Sequence, residues 1–114
     1  LNLSVNKINL VHNDAFKLLD NLIELNLAEN CLDINENSRP FRNLIRLERL
    51  DLSQNSIKNL PIKYFFGLTN LMELDLSFLD ISRINQNDFL YLENLNFIKI
   101  YDYQSRQYIK IYAK

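Results

Sequence analysis

The chain of 114 residues contains one cysteine, one histidine, one glycine and no tryptophan. Each shortage removes a class of chemistry. With Cys31 alone no internal disulfide can form, and cysteine usage says nothing of the redox compartment. One thiol and one imidazole, His12, sit at different offsets in the pattern described below, so nothing aligns them as a nucleophile and its base. A metal site would need clustered His, Cys or carboxylate ligands, and none are grouped here. A single glycine cannot supply a glycine-rich phosphate loop. There is no charge surplus either: 13 basic and 14 acidic side chains leave a net charge of −1, which argues against a nucleic-acid or anionic-membrane surface. No apolar run approaches the length of a transmembrane helix, so this segment is not expected to insert in a membrane. The first residue is Leu1 with no basic-then-apolar leader, so the expectation is a processed chain or a piece of a longer one. Neither an enzyme nor a cofactor is expected.

What is abundant is leucine and asparagine, and both fall in register. Leu22, Leu25 and Leu27 recur as Leu47, Leu50 and Leu52, then Leu71, Leu74 and Leu76, then Leu95, Ile98 and Ile100, at steps of 25, 24 and 24 residues. Leu1 and Leu3 fit the last two places of a copy that starts upstream. Asn6, Asn30 and Asn55 each follow the last of these leucines by three residues. Phe16, Phe41, Phe65 and Phe89 recur farther on, each followed three residues later by Leu19, Leu44, Leu68 or Leu92. The unit reads LxxLxLxxNxLxxLxxxxFxxLxx.

In an LxL stretch the side chains alternate, so Leu25 and Leu27 face one way while Glu24, Asn26 and Ala28 face the other. One copy cannot bury its leucines, whereas stacked copies form a parallel ladder and bury them together. The phenylalanines are expected to stack inside the return segments, with a short helical turn near Phe65–Leu68. The asparagines are expected to satisfy backbone groups at the turn after each strand and to bridge to the next coil, since a primary amide both donates and accepts. Leu79 stands where the fourth asparagine belongs and Tyr103 where the fifth does, so the regular pattern gives way near residue 78, through a functional edge or a terminal transition.

This pattern resembles the leucine-rich repeat family, in its 24-residue class, over residues 1 to about 103. The resemblance implies an α/β solenoid, a right-handed horseshoe arc with a parallel sheet on its concave face and short helical or irregular segments on its convex side. It implies one domain, with repeats at 1–21 (partial), 22–46, 47–70, 71–94 and 95–114. Phe and Leu in the return make it similar to the ectodomains of Toll-like receptors, axon-guidance proteins and hormone receptors. A non-enzymatic recognition module is thereby implied, on the extracellular side, binding a protein ligand or co-receptor through the concave face. The alternative is an intracellular scaffold or regulatory segment. No cysteine-rich cap brackets either end, so association through uncapped sheet edges is also expected.

The outward positions form three columns, with neighbours roughly 5 Å apart on adjacent strands. They read Glu24, Arg49, Glu73, Phe97; then Asn2, Asn26, Asp51, Asp75, Lys99; then Ser4, Ala28, Ser53, Ser77, Tyr101. Arg49 is expected to pair with both Glu24 and Glu73, a ladder that contributes little on an exposed face. Asp51 and Asp75 lie side by side, tolerable when solvated and useful against a basic partner. Replacing both by lysine is expected to leave folding intact. Phe78, Phe97 and Tyr101, with Met72 beside them, form an aromatic group of the kind enriched at interface centres, or one that a further segment covers. The candidate partner-binding residues are thus Glu24, Arg49, Asp51, Glu73, Asp75, Phe78, Phe97, Lys99 and Tyr101. The sequon Asn2-Leu3-Ser4 is also a product of the LxLS strand. The final YDYQSRQYIKIYAK is a degenerate coil, a capping strand or a truncation.

Overall fold

The computed structural model describes residues 1–35, 37–79 and 86–112. Within them the chain builds one five-stranded sheet whose strands follow in chain order: β1 (Glu24–Asn26), β2 (Arg49–Asp51), β3 (Glu73–Asp75), β4 (Phe97–Asp102) and β5 (Gln107–Tyr112). The first four are parallel and in the register of the repeat: Glu24 opposes Arg49, Arg49 opposes Glu73, and Glu73 opposes Phe97. The first coil joins through a single bridge, Asn2 to Asn26. Leu25, Leu50, Leu74 and Ile98 alternate to the inner side and are buried, as are Leu27, Leu52 and Leu76. The result is a solenoid of stacked coils.

Strands β1 to β3 are only three residues long, and the backbone shows why. Val5, Glu29, Gln54 and Phe78 all take left-handed φ values of 53–57°, each one residue before the asparagine place. That kink lifts the chain out of the sheet and turns it into the core. These four residues share no side-chain preference for the left-handed region, so the coil imposes it against an intrinsic cost of about 1–3 kcal/mol each. In the fifth coil the equivalent residue, Asp102, remains in the strand, and the left-handed residue is Arg106. Strand β4 therefore runs on for six residues, turns over 103–106 and returns as β5, antiparallel, with Asp102 opposite Gln107. The terminal segment is a hairpin strand that covers the open side of β4, and it is not a further parallel coil.

The return segments enclose the phenylalanines. Phe16, Phe41, Phe65 and Phe89 are all buried. Phe16 stacks on Phe41 with ring centroids 6.2 Å apart, and Phe65 meets Phe89 at 6.0 Å. Tyr64 wedges between the two pairs, edge-on to Phe41 and to Phe65. Its burial pushes the phenol pKa well above the ordinary range. Short 3-10 turns carry Phe65 and Phe89, at Ile62–Phe65 and Gln86–Phe89. The expected helical turn near Phe65–Leu68 thus sits slightly earlier. Leu44, Leu68 and Leu92 are buried as the pattern requires, but Leu19 is 39% exposed, because only one neighbouring coil covers it. The lone Gly67, at φ 98°, is fixed by contact: a Cβ there would lie 2.3 Å from the Arg42 carbonyl oxygen of the preceding coil.

The asparagine ladder runs opposite to the expected sense. Asn30 Oδ1 accepts the Ile8 N–H, and its Nδ2 donates to Leu3 C=O as well as to Leu27 and Ala28 of its own coil. Asn55 repeats this one coil later, accepting from Leu32 N–H and donating to Leu27, Leu52 and Ser53. Each amide therefore ties its turn to the preceding coil, where the expectation was a bridge to the next. The geometry follows from the left-handed kink, which aims the side chain backward along the stack. Asn6 is exposed and reaches only Leu3 and Ser4 of its own coil. Leu79 fills the same place with a buried apolar side chain. Asp80, next to it, and Ile81, at the aliphatic place two residues after the asparagine place of the repeat unit, lie outside the described residues.

Candidate functional site

The outward face of the sheet is a shallow open groove of about 540 Å3, floored by the alternate residues of β1 to β4. Because the register is that of the repeat, the sequence columns become rows of neighbours on adjacent strands. The first column brings Glu24, Arg49, Glu73 and Phe97 together, and the second brings Asn26, Asp51, Asp75 and Lys99.

The charges pair differently from the expectation. Arg49 donates through Nε to Glu24 Oε1 at 2.7 Å and a second guanidinium nitrogen also contacts that oxygen, so the side chain is committed to β1. That hydrogen bond, with the neighbouring carboxylates, raises the Arg49 pKa further. Glu73 has no ion pair among the described residues, so the ladder closes on one side only. Lys99 Nζ comes within 3.9 Å of Asp75 Oδ2 at the other end of the groove.

The second column has a structural duty that composition did not reveal. Asp51 Oδ1 accepts the Ser53 N–H at 2.9 Å and the Ser53 hydroxyl at 2.6 Å. Asp75 Oδ1 accepts the Ser77 N–H, Asn26 Oδ1 the Ala28 N–H and Asn2 Oδ1 the Ser4 N–H. These are Asx turns that shape the exit from each strand. Lysine at 51 and 75 would remove two of them, so the expectation that the double replacement leaves folding intact is corrected. Asparagine, which keeps the acceptor, is the substitution that removes charge alone.

The aromatic residues divide into two groups. Phe78 stacks on Tyr101 with centroids 4.4 Å apart, and Tyr103 and Tyr108 meet both edge-on. Phe97 belongs instead with Tyr112, 6.2 Å away. Met72 lies just before β3, lining a groove with Ile23, Asn70, Asn94 and Asn96, and is not part of the Phe78 group. The structure adds Tyr108, Lys110 and Tyr112 to the face. Antiparallel pairing sets them opposite Tyr101, Lys99 and Phe97. The mirrored stretches FIKIY and YIKIY were the sequence signal for this hairpin. Lys99 and Lys110, like charges directly opposite, avoid one another on the diagonals: Lys99 lies over Tyr108 and Lys110 over Phe97, each 4.4 Å from the ring centroid. The Ser77 hydroxyl is buried with no hydrogen-bond partner among the described residues, in the column where Tyr101 replaces the small residues of earlier coils.

A second amide ladder also went unread. Asn70 Nδ2 donates to Ile45 C=O at 2.6 Å and Asn94 Nδ2 to Thr69 C=O at 2.7 Å, one coil back in each case. Asn21 holds the same place and accepts from the Arg46 guanidinium. The signal was an asparagine immediately before the first leucine of the triplet. His12 and Cys31 are exposed and take no part in the face. Among the described residues no group of three metal-ligating side chains is present, and no helix is long and apolar enough to cross a membrane.

A sequence profile described as leucine rich repeat matches residues 45–101. Toll-like receptor 3 of Bos taurus is 37% identical over 113 residues, covering 90% of this chain and 12% of the relative. Toll-like receptor 5 of Homo sapiens is 43% identical over 79 residues, covering 68% of this chain and 9% of the relative. The chain therefore spans about a tenth of the length of these receptors.

Proposed function

The chain belongs to the leucine-rich repeat family, and from that premise we propose that it is a protein-recognition segment of a receptor-like ectodomain, binding its partner through the outward sheet face. The observation that carries this is the composition of that face: an open groove with a charged middle and an aromatic bank, unlike the leucine-filled inner side. The contacting residues are Glu24, Arg49, Asp51, Glu73, Asp75, Phe78, Phe97, Lys99 and Tyr101. Phe78 and Tyr101 are half-buried, their rings held by their neighbours, so they can meet a partner with little further loss of side-chain freedom. The Toll-like receptor relatives support a location outside the cell, which belongs to the same proposal. No side-chain constellation for catalysis is part of it.

The test is to select binders of this chain from a random peptide-display library and to measure each against variants. Glu73→Lys and Tyr101→Ala alter the face. Lys17→Glu and Glu93→Lys alter exposed positions on the return side. Loss of binding at the face positions alone supports the proposal. Binders that ignore the face and respond to the return-side changes overturn it.

A further inference from the structure

We infer that the occupant of this face is a cationic segment, an arginine-bearing stretch of another protein laid across β2 and β3; this rests on the recognition function proposed above. The centre of the groove holds four outward side chains, Arg49 and Asp51 on β2 and Glu73 and Asp75 on β3. They carry three negative charges and one positive. The positive one is turned away, bonded to Glu24. Asp75 has only the long contact to Lys99. Asp51 and Glu73 have no ion pair among the described residues. The patch is thus net −2 in a chain whose whole net charge is −1, so the acidity is local and not a property of the whole surface.

The atoms left over specify the complement. Asp51 Oδ1 and Asp75 Oδ1 are occupied by the turn N–H groups, which leaves Asp51 Oδ2 for an outside donor and Asp75 Oδ2 with only the 3.9 Å contact to Lys99 Nζ. Adjacent strands place these two side chains roughly 5 Å apart. A planar guanidinium with five donors can address both at once, where an ammonium meets one as a point charge. Lys99 and Lys110 bound this patch at its C-terminal end, so a cationic segment is confined to β2 and β3 and excluded from the aromatic bank. An anionic or neutral segment would leave Asp51 and Glu73 uncompensated under it.

The probe is a synthetic decamer of alternating arginine and serine, followed by fluorescence anisotropy at low salt, with a glutamate–serine decamer as control. The arginine peptide is expected to bind, to weaken with added salt, and to bind roughly five-fold less tightly to the Asp51→Asn, Glu73→Gln double variant. Glu93→Gln, an exposed return-side change, is expected to leave it unaltered. An arginine peptide that binds the double variant as well as the native chain overturns the cationic-partner inference. If the display-selected binders still lose affinity on Glu73→Lys in that case, recognition by the face stands and only the partner's chemistry is wrong. If they too ignore the face, both conclusions fall.

Discussion

Asn55→Ala should be among the most damaging single changes in the chain, and the structure sets the size of the effect. The Asn55 amide makes four hydrogen bonds, one accepted and three donated. Truncation does not orphan every partner. Leu27 C=O keeps the Asn30 amide, and Ser53 C=O keeps the Glu29 N–H. Leu32 N–H and Leu52 C=O have no other partner among the described residues. Leu32 is fully buried, so water does not readily substitute. Two orphaned buried groups at about 1–3 kcal/mol each give a loss of about 2–6 kcal/mol. That is a large part of the stability of a domain this size, typically about 5–15 kcal/mol. With a urea slope of about 2 kcal/mol per molar, the midpoint should fall by at least about 1 M. Asn30→Ala should cost less, because its cross-coil bonds to Leu3 and Ile8 are only part-buried, and Asn6→Ala least, because its bonds are exposed and local. Equal midpoint shifts for the three, or a shift below about 0.3 M for Asn55, would refute the claim that the ladder gains its strength from tying a buried turn to the coil before it.

Three further outcomes follow from other parts of the molecule. Gly67→Ala is expected to lower stability by about 2 kcal/mol or more, since it adds both backbone strain at φ 98° and a clash with Arg42 C=O; a thermal midpoint within a degree of the native chain would contradict this. Leu79→Asn restores ladder bonds worth about 1 kcal/mol each but removes a buried leucine worth about 1.5–3 kcal/mol, so stability should change by less than about 1 kcal/mol, whereas a large gain would mean that Leu79 is mere decay of the pattern. Asp102 has its pKa lowered by the Ser105 hydroxyl and the Gln104 N–H in the hairpin turn. A depressed folded pKa means the stabilisation is present above the unfolded carboxylate range and is lost as pH falls through the folded value. The β4–β5 hairpin should therefore loosen only below about pH 4, read by exchange of its amides, and Asp102→Ala should abolish that dependence.

The leucine triplets and phenylalanines were legible because burial repeats their spacing in every coil, and a period shared by several positions is hard to mistake. The direction of the asparagine bridge was not, since it depends on the left-handed residue before it, and Val5, Glu29, Gln54 and Phe78 announce no such backbone. The duty of Asp51 and Asp75 was half-legible: Asn2, Asn26, Asp51 and Asp75 are all residues that make Asx turns, each followed two positions on by serine or alanine. Reading that column only as charge missed its role in the fold. The split of the aromatic group could not be seen while β5 was read as one of three possibilities. Once it is antiparallel, Tyr112 takes Phe97, and Tyr108 joins Phe78 and Tyr101.

The most direct test of recognition through the sheet face is an amide chemical-shift map of the chain titrated with a display-selected binder. Shifts concentrated at 24–26, 49–51, 73–75 and 97–101 are the predicted result. Shifts concentrated in the return segments, around 37–46 and 61–70, would contradict it.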